Sequence, residues 1–328
     1  MTETSSGPPR PAIVDLRGND ATDALAELRS GLAHACPFIE PKYFYDALGA
    51  SLFDAITRLP EYYLTRAESE LIERHGSAIA AAIRGDIAAA GADTTLVDLG
   101  AGSCAKASAW FGALPVAQYV AVDIALDFLG PALERLQRLH PEVAMLGVGC
   151  DFSRHLVLPP LKGTPVFLYP GSSIGNFPPH DARRFLGQVR AACPGGGLLI
   201  GVDLVKDRQV LESAYDDALG VTAAFNRNVL LHVNRLIGAD FRLEDWRHRA
   251  GFAPGQSRIE MHLEALCDVT VRWPGGGRLF AKGSRIHTEN SYKWTITNFA
   301  RLLQDSGFSG QRHWTDPRDQ FAVFWATR

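Results

Sequence analysis

The chain has 328 residues, 46% of them hydrophobic and 21% charged, an ordinary globular composition that excludes disordered, collagen-like and coiled-coil proteins. Its formal charge of −3 at pH 7 leaves no basic surplus for nucleic acid or an anionic membrane. The five cysteines, at positions 36, 104, 150, 193 and 267, form no CxxC pair, which suits reduced thiols in a cytoplasmic protein rather than a disulfide framework.

Residues 1–12 are polar and proline-rich and read as a flexible tail. They lack the basic start and apolar stretch of a secretory signal, and no run in the chain approaches the ~18 apolar residues of a membrane span. From Asp20 to about Ala35, Ala24, Leu25, Leu28 and Leu32 fall at helical spacing. The stretch PKYFYDALGASLFDAITRLPEYYLTRAESELIERH follows, helical in period after Asp46 and again after Thr65, with Pro60 breaking the two. Five short apolar runs come next: 94–103 ending in a glycine turn, 118–125 ending near Asp123, 145–152 ending in Asp151, 165–177, and 197–205. Helical patterns at 104–113, 125–139 and 179–192 separate them, which predicts βαβ units and a parallel sheet buried on both faces.

The alternation stops over 207–290. That segment holds a helix-like stretch, VLESAYDDALGVTAAFNRNVLLHVNRLIG, and the strand-like pieces RIEMHLEALCDVTVRW and GRLFAKGSRIHTEN. A helix over 292–306 and a strand pair around 311–328 then resume the α/β pattern. The expected architecture is a Rossmann-like α/β core, residues 66–206 plus 291–328, with a second α+β domain, 13–65 plus 207–290, lying over the carboxyl edge of the strands. Open α/β sheets bind their ligands at that edge.

The run LVDLGAGS places Gly100 and Gly102 at the end of the first of these strands, where a tight turn lets a ligand approach bare backbone. Asp123, 23 residues past Gly100, occupies the position of a carboxylate that accepts from ribose hydroxyls. Asp151 and Phe152 close the third run, an acid for an adenine amino group and an aromatic to cover its face. A dinucleotide site wants a third glycine, but the turn continues Ser103-Cys104-Ala105-Lys106. The pattern therefore favours a ligand without a pyrophosphate, such as S-adenosylmethionine, with Lys106 placed to meet the methionine carboxylate. The ten histidines are scattered without HxH or HxxxH spacing, so no metal is expected.

Several long strings resemble a single family: PKYFYDALGASLFDAITRLPEYYLTRAE, LVDLGAGSCAK, the Asp151-Phe152 pair, YPGSSIGNF, DLVKD, AYDDALGVTAAFNRNVL, RIEMHL, TENSYKW and HWTDPRDQFAVFWA. The family is the S-adenosylmethionine-dependent histidine-specific Nα-methyltransferases of ergothioneine biosynthesis, and the resemblance runs from about residue 37 to the C-terminus. It implies a Rossmann-like methyltransferase core with a dedicated substrate domain, and three successive methyl transfers to the α-amine of L-histidine, giving hercynine. It further implies that Gly100, Gly102, Lys106, Asp123, Asp151 and Phe152 contact S-adenosylmethionine. Tyr62, Asn176 and Tyr215 would hold the amino-acid carboxylate and amine, with Gly171 of the substrate-binding set opening the Asn176 loop and Tyr45 and Asn176 at the reacting nitrogen. Glu289 and Ser291 would bind the imidazole, with Met261 beside the ring and Asn290 between them in the substrate-binding set. Relatives with an altered imidazole pair act on other amino acids, including tryptophan derivatives; a non-catalytic binding module and a nicotinamide dehydrogenase are the other readings. The partner expected is a small molecule, not nucleic acid or a membrane. A monomer is compatible with the sequence, which does not fix the oligomeric state.

Overall fold

The computed structural model describes residues 10–17, 20–88 and 93–328. In chain order, β1 (Ala12–Asp15), α1 (Asp20–Ala33), α2 (Ala47–Ile56) and α3 (Tyr63–Ile87) precede the first buried strand, β2 (Thr94–Leu99). Then follow α4 (Ser108–Phe111), β3 (Val116–Asp123), α5 (Leu126–Leu139), β4 (Ala144–Gly149), β5 (Thr164–Tyr169), α6 (Pro179–Ala192) and β6 (Gly197–Asp203). The insertion comprises α7 (Arg208–Ser213), α8 (Val221–Ile237), β7 (Trp246–Ala253), β8 (Arg258–Ala265), β9 (Val269–Trp273), β10 (Gly276–Phe280) and β11 (Arg285–Tyr292). The chain closes with α9 (Ile296–Asp305), β12 (Gly310–Thr315) and β13 (Phe321–Thr327).

Eight strands form one sheet in the order β1-β4-β3-β2-β5-β6-β13-β12. The first six are mutually parallel; β13 runs antiparallel to β6, and β12, antiparallel to β13, completes the edge. Every residue of β2, β5 and β6 is buried, which explains why these strands read as unbroken apolar runs. Strand order reverses between β2 and β5, so their carboxyl ends diverge into a crevice. The loops at 100–106 and 170–176 open there. Among the described residues, no helix is long and apolar enough to cross a membrane.

The insertion builds a separate antiparallel sheet, β11-β8-β7, and a β9–β10 hairpin. Helix α8 packs on β7, β8, α2 and the short turn Pro41–Phe44, joining the insertion to the N-terminal segment.

Four details differ from the sequence expectations. The tail expected over 1–12 lies outside the described residues as far as position 9, and Ala12 already opens β1. That strand pairs with β4 at the edge of the large sheet rather than joining the substrate-binding part; its four exposed residues gave no burial signal. The helix expected over 104–113 is only α4, because Gly100, Gly102 and Cys104 all have positive φ and keep the chain non-helical as far as Ala107. The single helix-like stretch after Val210 is two helices. Gly220 at φ 75° and Asp217, whose carboxylate accepts from the Val221 and Thr222 amides at 2.9 and 2.7 Å, begin α8 afresh after a turn that carries Tyr215.

Candidate active site

The loop at the carboxyl end of β5, the inner side of β8 and β11, and residues of the N-terminal segment and of the α7–α8 region line one pocket. Tyr45, Phe53, Tyr62, Gly171, Asn176, Tyr215, Thr222, Phe225, Met261, Glu289 and Ser291 are among its lining residues. Each wall has a local reason for its position. Tyr45 follows the Pro41–Phe44 turn and precedes Asp46, whose Oδ1 caps α2 by accepting from the Gly49 amide at 2.7 Å and also accepts from Asn228 Nδ2 on α8 at 2.8 Å. The turn and the helix are packed so closely that a Cβ on Gly49 would lie 1.7 Å from the Phe44 carbonyl oxygen. Gly49→Ala is expected to lower stability by about 3 kcal/mol and to weaken amino-acid binding with it. Denaturant titration beside calorimetry checks this; a variant as stable as wild type would show that the turn yields freely.

Glu289 and Ser291 reach the pocket because β11 carries a bulge. His287 pairs with His262 and Glu289 with Met261, so Thr288 is the extra residue. Strict alternation from Ile286 would turn Thr288 and Asn290 inward; the bulge shifts the phase and turns Glu289 and Ser291 inward instead. Asn290, expected in the substrate-binding set, is thereby corrected. It lies on the opposite face, where its Oδ1 meets His287 Nε2 at 3.0 Å, and it does not line the pocket.

The aromatic side chains form a continuous wall. Tyr45 meets Phe53 and Phe225 edge-on at 5.8 and 6.0 Å, Phe53 meets Tyr62 at 6.2 Å, and Tyr62 meets Tyr215 at 6.2 Å. Burial pushes the pKa values of Tyr45, Tyr62 and Tyr215 well up, so all three stay neutral phenols. Glu289 is the one carboxylic acid in the lining, which holds no lysine, arginine or histidine. Burial pushes its carboxyl up to about 8 against the opposing pull of Lys293.

The folded protein therefore keeps the Glu289 proton up to about pH 8, whereas an unfolded chain releases it near the usual 4.5. The ligand-free protein loses stability as pH rises across that window, at about 1.4 kcal/mol per unit of the gap. Glu289→Gln, which cannot ionise, should match wild type at pH 4.5 and become progressively more stable than it toward pH 8. Denaturant midpoints at both pH values would contradict this if the difference between the two proteins stayed constant.

The second half of the site lies at the glycine turn. Gly100 and Gly102 have φ of 68° and 50°, and a Cβ on Gly100 would sit 3.8 Å from Phe152 Cζ, so the Phe152 ring lies across the turn. Asp123 at the end of β3 accepts from the Gly102 amide through Oδ2 and from the Ala125 amide through Oδ1, both at 2.9 Å. Asp151 pairs with Lys42 at 2.8 Å. Burial alone would raise its pKa, but the hydrogen bonds from Lys42 and Ser153 outweigh burial and hold it below the usual carboxylate range. Lys106 pairs with Glu68 of α3, which also accepts from the Gly171 amide at 2.7 Å. Two acidic side chains, an aromatic face and a lysine thus surround a side-chain-free turn. The two half-sites meet at Gly171, where a Cβ would approach Lys106 Nζ to 3.1 Å.

A family model described as histidine-specific methyltransferase, SAM-dependent, matches residues 24–328. The chain belongs to this family. The histidine N-alpha-methyltransferase of Mycolicibacterium smegmatis is 39% identical over 321 residues, covering 95% of this methyltransferase and 98% of that protein. The Mycobacterium tuberculosis protein of the same name is 36% identical, with 92% and 94% covered. Ergothioneine biosynthesis protein 1 of Neurospora crassa is 30% identical over 83% of this methyltransferase and 31% of its own length.

Sequence reasoning missed Glu68, Lys42, Thr222 and Lys293. Thr222 lines the pocket with its Oγ1 buried and without a hydrogen-bond partner. Glu68, Lys42 and Lys293 stand within strings that carry the family resemblance, but they act through residues distant in the chain. Among the described residues, no group of three or more His, Cys, Asp or Glu is arranged to hold a metal ion.

Proposed function

We propose that this S-adenosylmethionine-dependent methyltransferase transfers three methyl groups in succession to the α-amine of L-histidine, giving hercynine, the first step of ergothioneine biosynthesis. The observation that carries the reading is the inward pairing of Glu289 and Ser291 at one end of an aromatic pocket, in a chain that shares 39% identity with a histidine N-alpha-methyltransferase over nearly its full length.

Bound S-adenosylmethionine supplies an electrophilic methyl group on a sulfonium. Gly100, Gly102, Asp123, Asp151 and Phe152 hold its nucleoside and Lys106 its carboxylate. On the substrate side, Tyr62, Asn176 and Tyr215 hold the carboxylate and amine, next to Gly171. Glu289 and Ser291 bind the imidazole, with Met261 against the ring. The α-amine must present a lone pair to the methyl carbon, with the N–C bond forming as the C–S bond breaks. The tyrosines are pinned as neutral phenols, so none serves as a phenolate base. Asn176 and Tyr45 instead align an amine that has already lost its proton to solvent, which contributes through near-attack geometry.

Each round replaces one N–H of the ammonium form by a methyl group and releases a proton, and the third leaves a permanently charged quaternary nitrogen. The wall of Tyr45, Phe53, Tyr62 and Phe225 tolerates the change, because aromatic faces attract a quaternary cation by about 0.5–2 kcal/mol. On this reading residues 16–65 plus 207–290 form the substrate-binding part, and β1, 66–206 and 291–328 the methyltransferase core. The partner is a small molecule, not nucleic acid or membrane, in keeping with the charge of −3, and the place of action is the cytoplasm.

Mass spectrometry of the purified protein with S-adenosylmethionine and each common amino acid tests the proposal. A gain of three methyl groups on histidine alone is the expected result. Methylation of a different amino acid would keep the chemistry and overturn the imidazole assignment; no methylation of any would leave a binding protein.

A further inference from the structure

An amino acid brings a carboxylate into the pocket, yet no lysine or arginine is among the lining residues. Positive charge lies directly behind the wall. Asp203, at the end of β6 and fully buried, pairs with Lys293 at 2.7 Å and Lys206 at 2.5 Å and accepts from the Tyr63 hydroxyl at 2.6 Å. One carboxylate thus faces two ammonium groups, and the cluster carries a net positive charge.

Lys293 is as buried as Asp203, and its ammonium group has three hydrogens to place. They go to Asp203 Oδ2 at 2.7 Å, Ser291 Oγ at 2.7 Å and the Tyr215 hydroxyl at 3.0 Å. Ser291 Oγ and the Tyr215 hydroxyl are themselves 2.7 Å apart. Both oxygens accept from Lys293, and between them they own two hydrogens. One bridges the pair, so a single O–H remains to point into the pocket. We infer that Lys293 is a positioning residue that conveys the buried positive charge through Tyr215 to the substrate carboxylate and, in doing so, fixes Ser291 as an acceptor for the imidazole.

The inference rests on the amino-acid reading of the pocket given above. With the Tyr215 hydrogen directed at the carboxylate, the Ser291 hydrogen must go to Tyr215. Ser291 then has only a lone pair left for the ligand, and that suits a ring N–H. The Tyr215 hydroxyl, accepting from an ammonium, becomes a stronger donor than an isolated phenol. A carboxylate is thereby bound by charge without a cation in the wall, where a cation would repel the methylated nitrogen.

The test compares L-histidine with histamine, which lacks the carboxylate, by calorimetry on wild type and Lys293→Met. Wild type should favour histidine by about 100-fold, the scale of a charge-assisted contact. In Lys293→Met the preference should shrink to less than about tenfold, because histidine loses both the relayed charge and the fixed Ser291 acceptor whereas histamine loses only the latter. Asp203 keeps Lys206 and Tyr63 as partners in this variant. Should it nevertheless fail to fold, Lys293→Gln, which keeps an N–H donor toward Asp203 without the charge, should show the same collapse. An undiminished preference, or equal weakening toward both ligands, would overturn the inference and leave Lys293 a structural residue. A wild-type protein that binds no histidine would sink the substrate assignment instead; the same comparison, run with the amino acid it does methylate and the matching amine, then decides the role of Lys293.

Discussion

Replacing Glu289 by alanine should lower kcat/KM for L-histidine by about 100-fold, mostly through KM, while S-adenosylmethionine binds as before. The carboxyl is buried and its place on β11 is fixed by the bulge at Thr288. Alanine removes the hydrogen-bond partner of the imidazole and leaves a ring N–H desolvated without an acceptor, a loss of about 1–3 kcal/mol. The same change enlarges a pocket whose remaining walls are aromatic and aliphatic, so apolar amino acids should gain acceptance relative to histidine. Steady-state kinetics across a panel of amino acids measures both effects. Unaltered histidine kinetics would place the imidazole elsewhere and remove the main physical argument for the substrate.

Asp123→Ala should produce the complementary loss, an S-adenosylmethionine Kd raised about 100-fold with histidine binding retained. Asp123 acts on two levels. Its two oxygens hold the Gly102 and Ala125 amides at 2.9 Å, which shapes the glycine turn, and on the proposed reading the carboxylate also accepts from the ribose hydroxyls. Alanine abolishes the ribose contacts and releases two backbone N–H groups, each contributing on the order of 1 kcal/mol or more. Calorimetry with S-adenosylmethionine and, separately, with histidine distinguishes the two half-sites. Equal weakening of both ligands would mean that the turn supports the whole crevice rather than the nucleoside alone.

Much of this was legible in the sequence because the large sheet is buried on both faces. Its central strands must be apolar throughout, and the turn at their carboxyl end must be glycine-rich; both are local facts. β1 and β7 carried no such signal. The first is short and exposed. The second, WRHRAGFA, is buried at Trp246 and only partly covered beyond it, because its outer face turns arginines toward Glu264 on β8. The face taken by Asn290 was also beyond reach. Alternation along TENS gives no sign of a bulge, since the extra residue is defined by pairing with β8, not by anything in β11 itself. Glu68 and Lys293 illustrate the same limit. Each is a charged residue in an otherwise ordinary helical or strand pattern, and its purpose appears only when residues 38 and 90 positions away close around it.

The pocket walls come from residues 45–64, 171–176, 214–225, 261 and 289–291, so no contiguous piece of the chain contains a binding site. A histidine molecule seated there works as a reversible cross-link between segments more than 200 residues apart, and its binding energy adds to the stability of all of them together. Amide hydrogens in the five segments should therefore slow their exchange in step as the ligand is titrated, rather than one after another. The substrate, on this view, is also the last component of the fold.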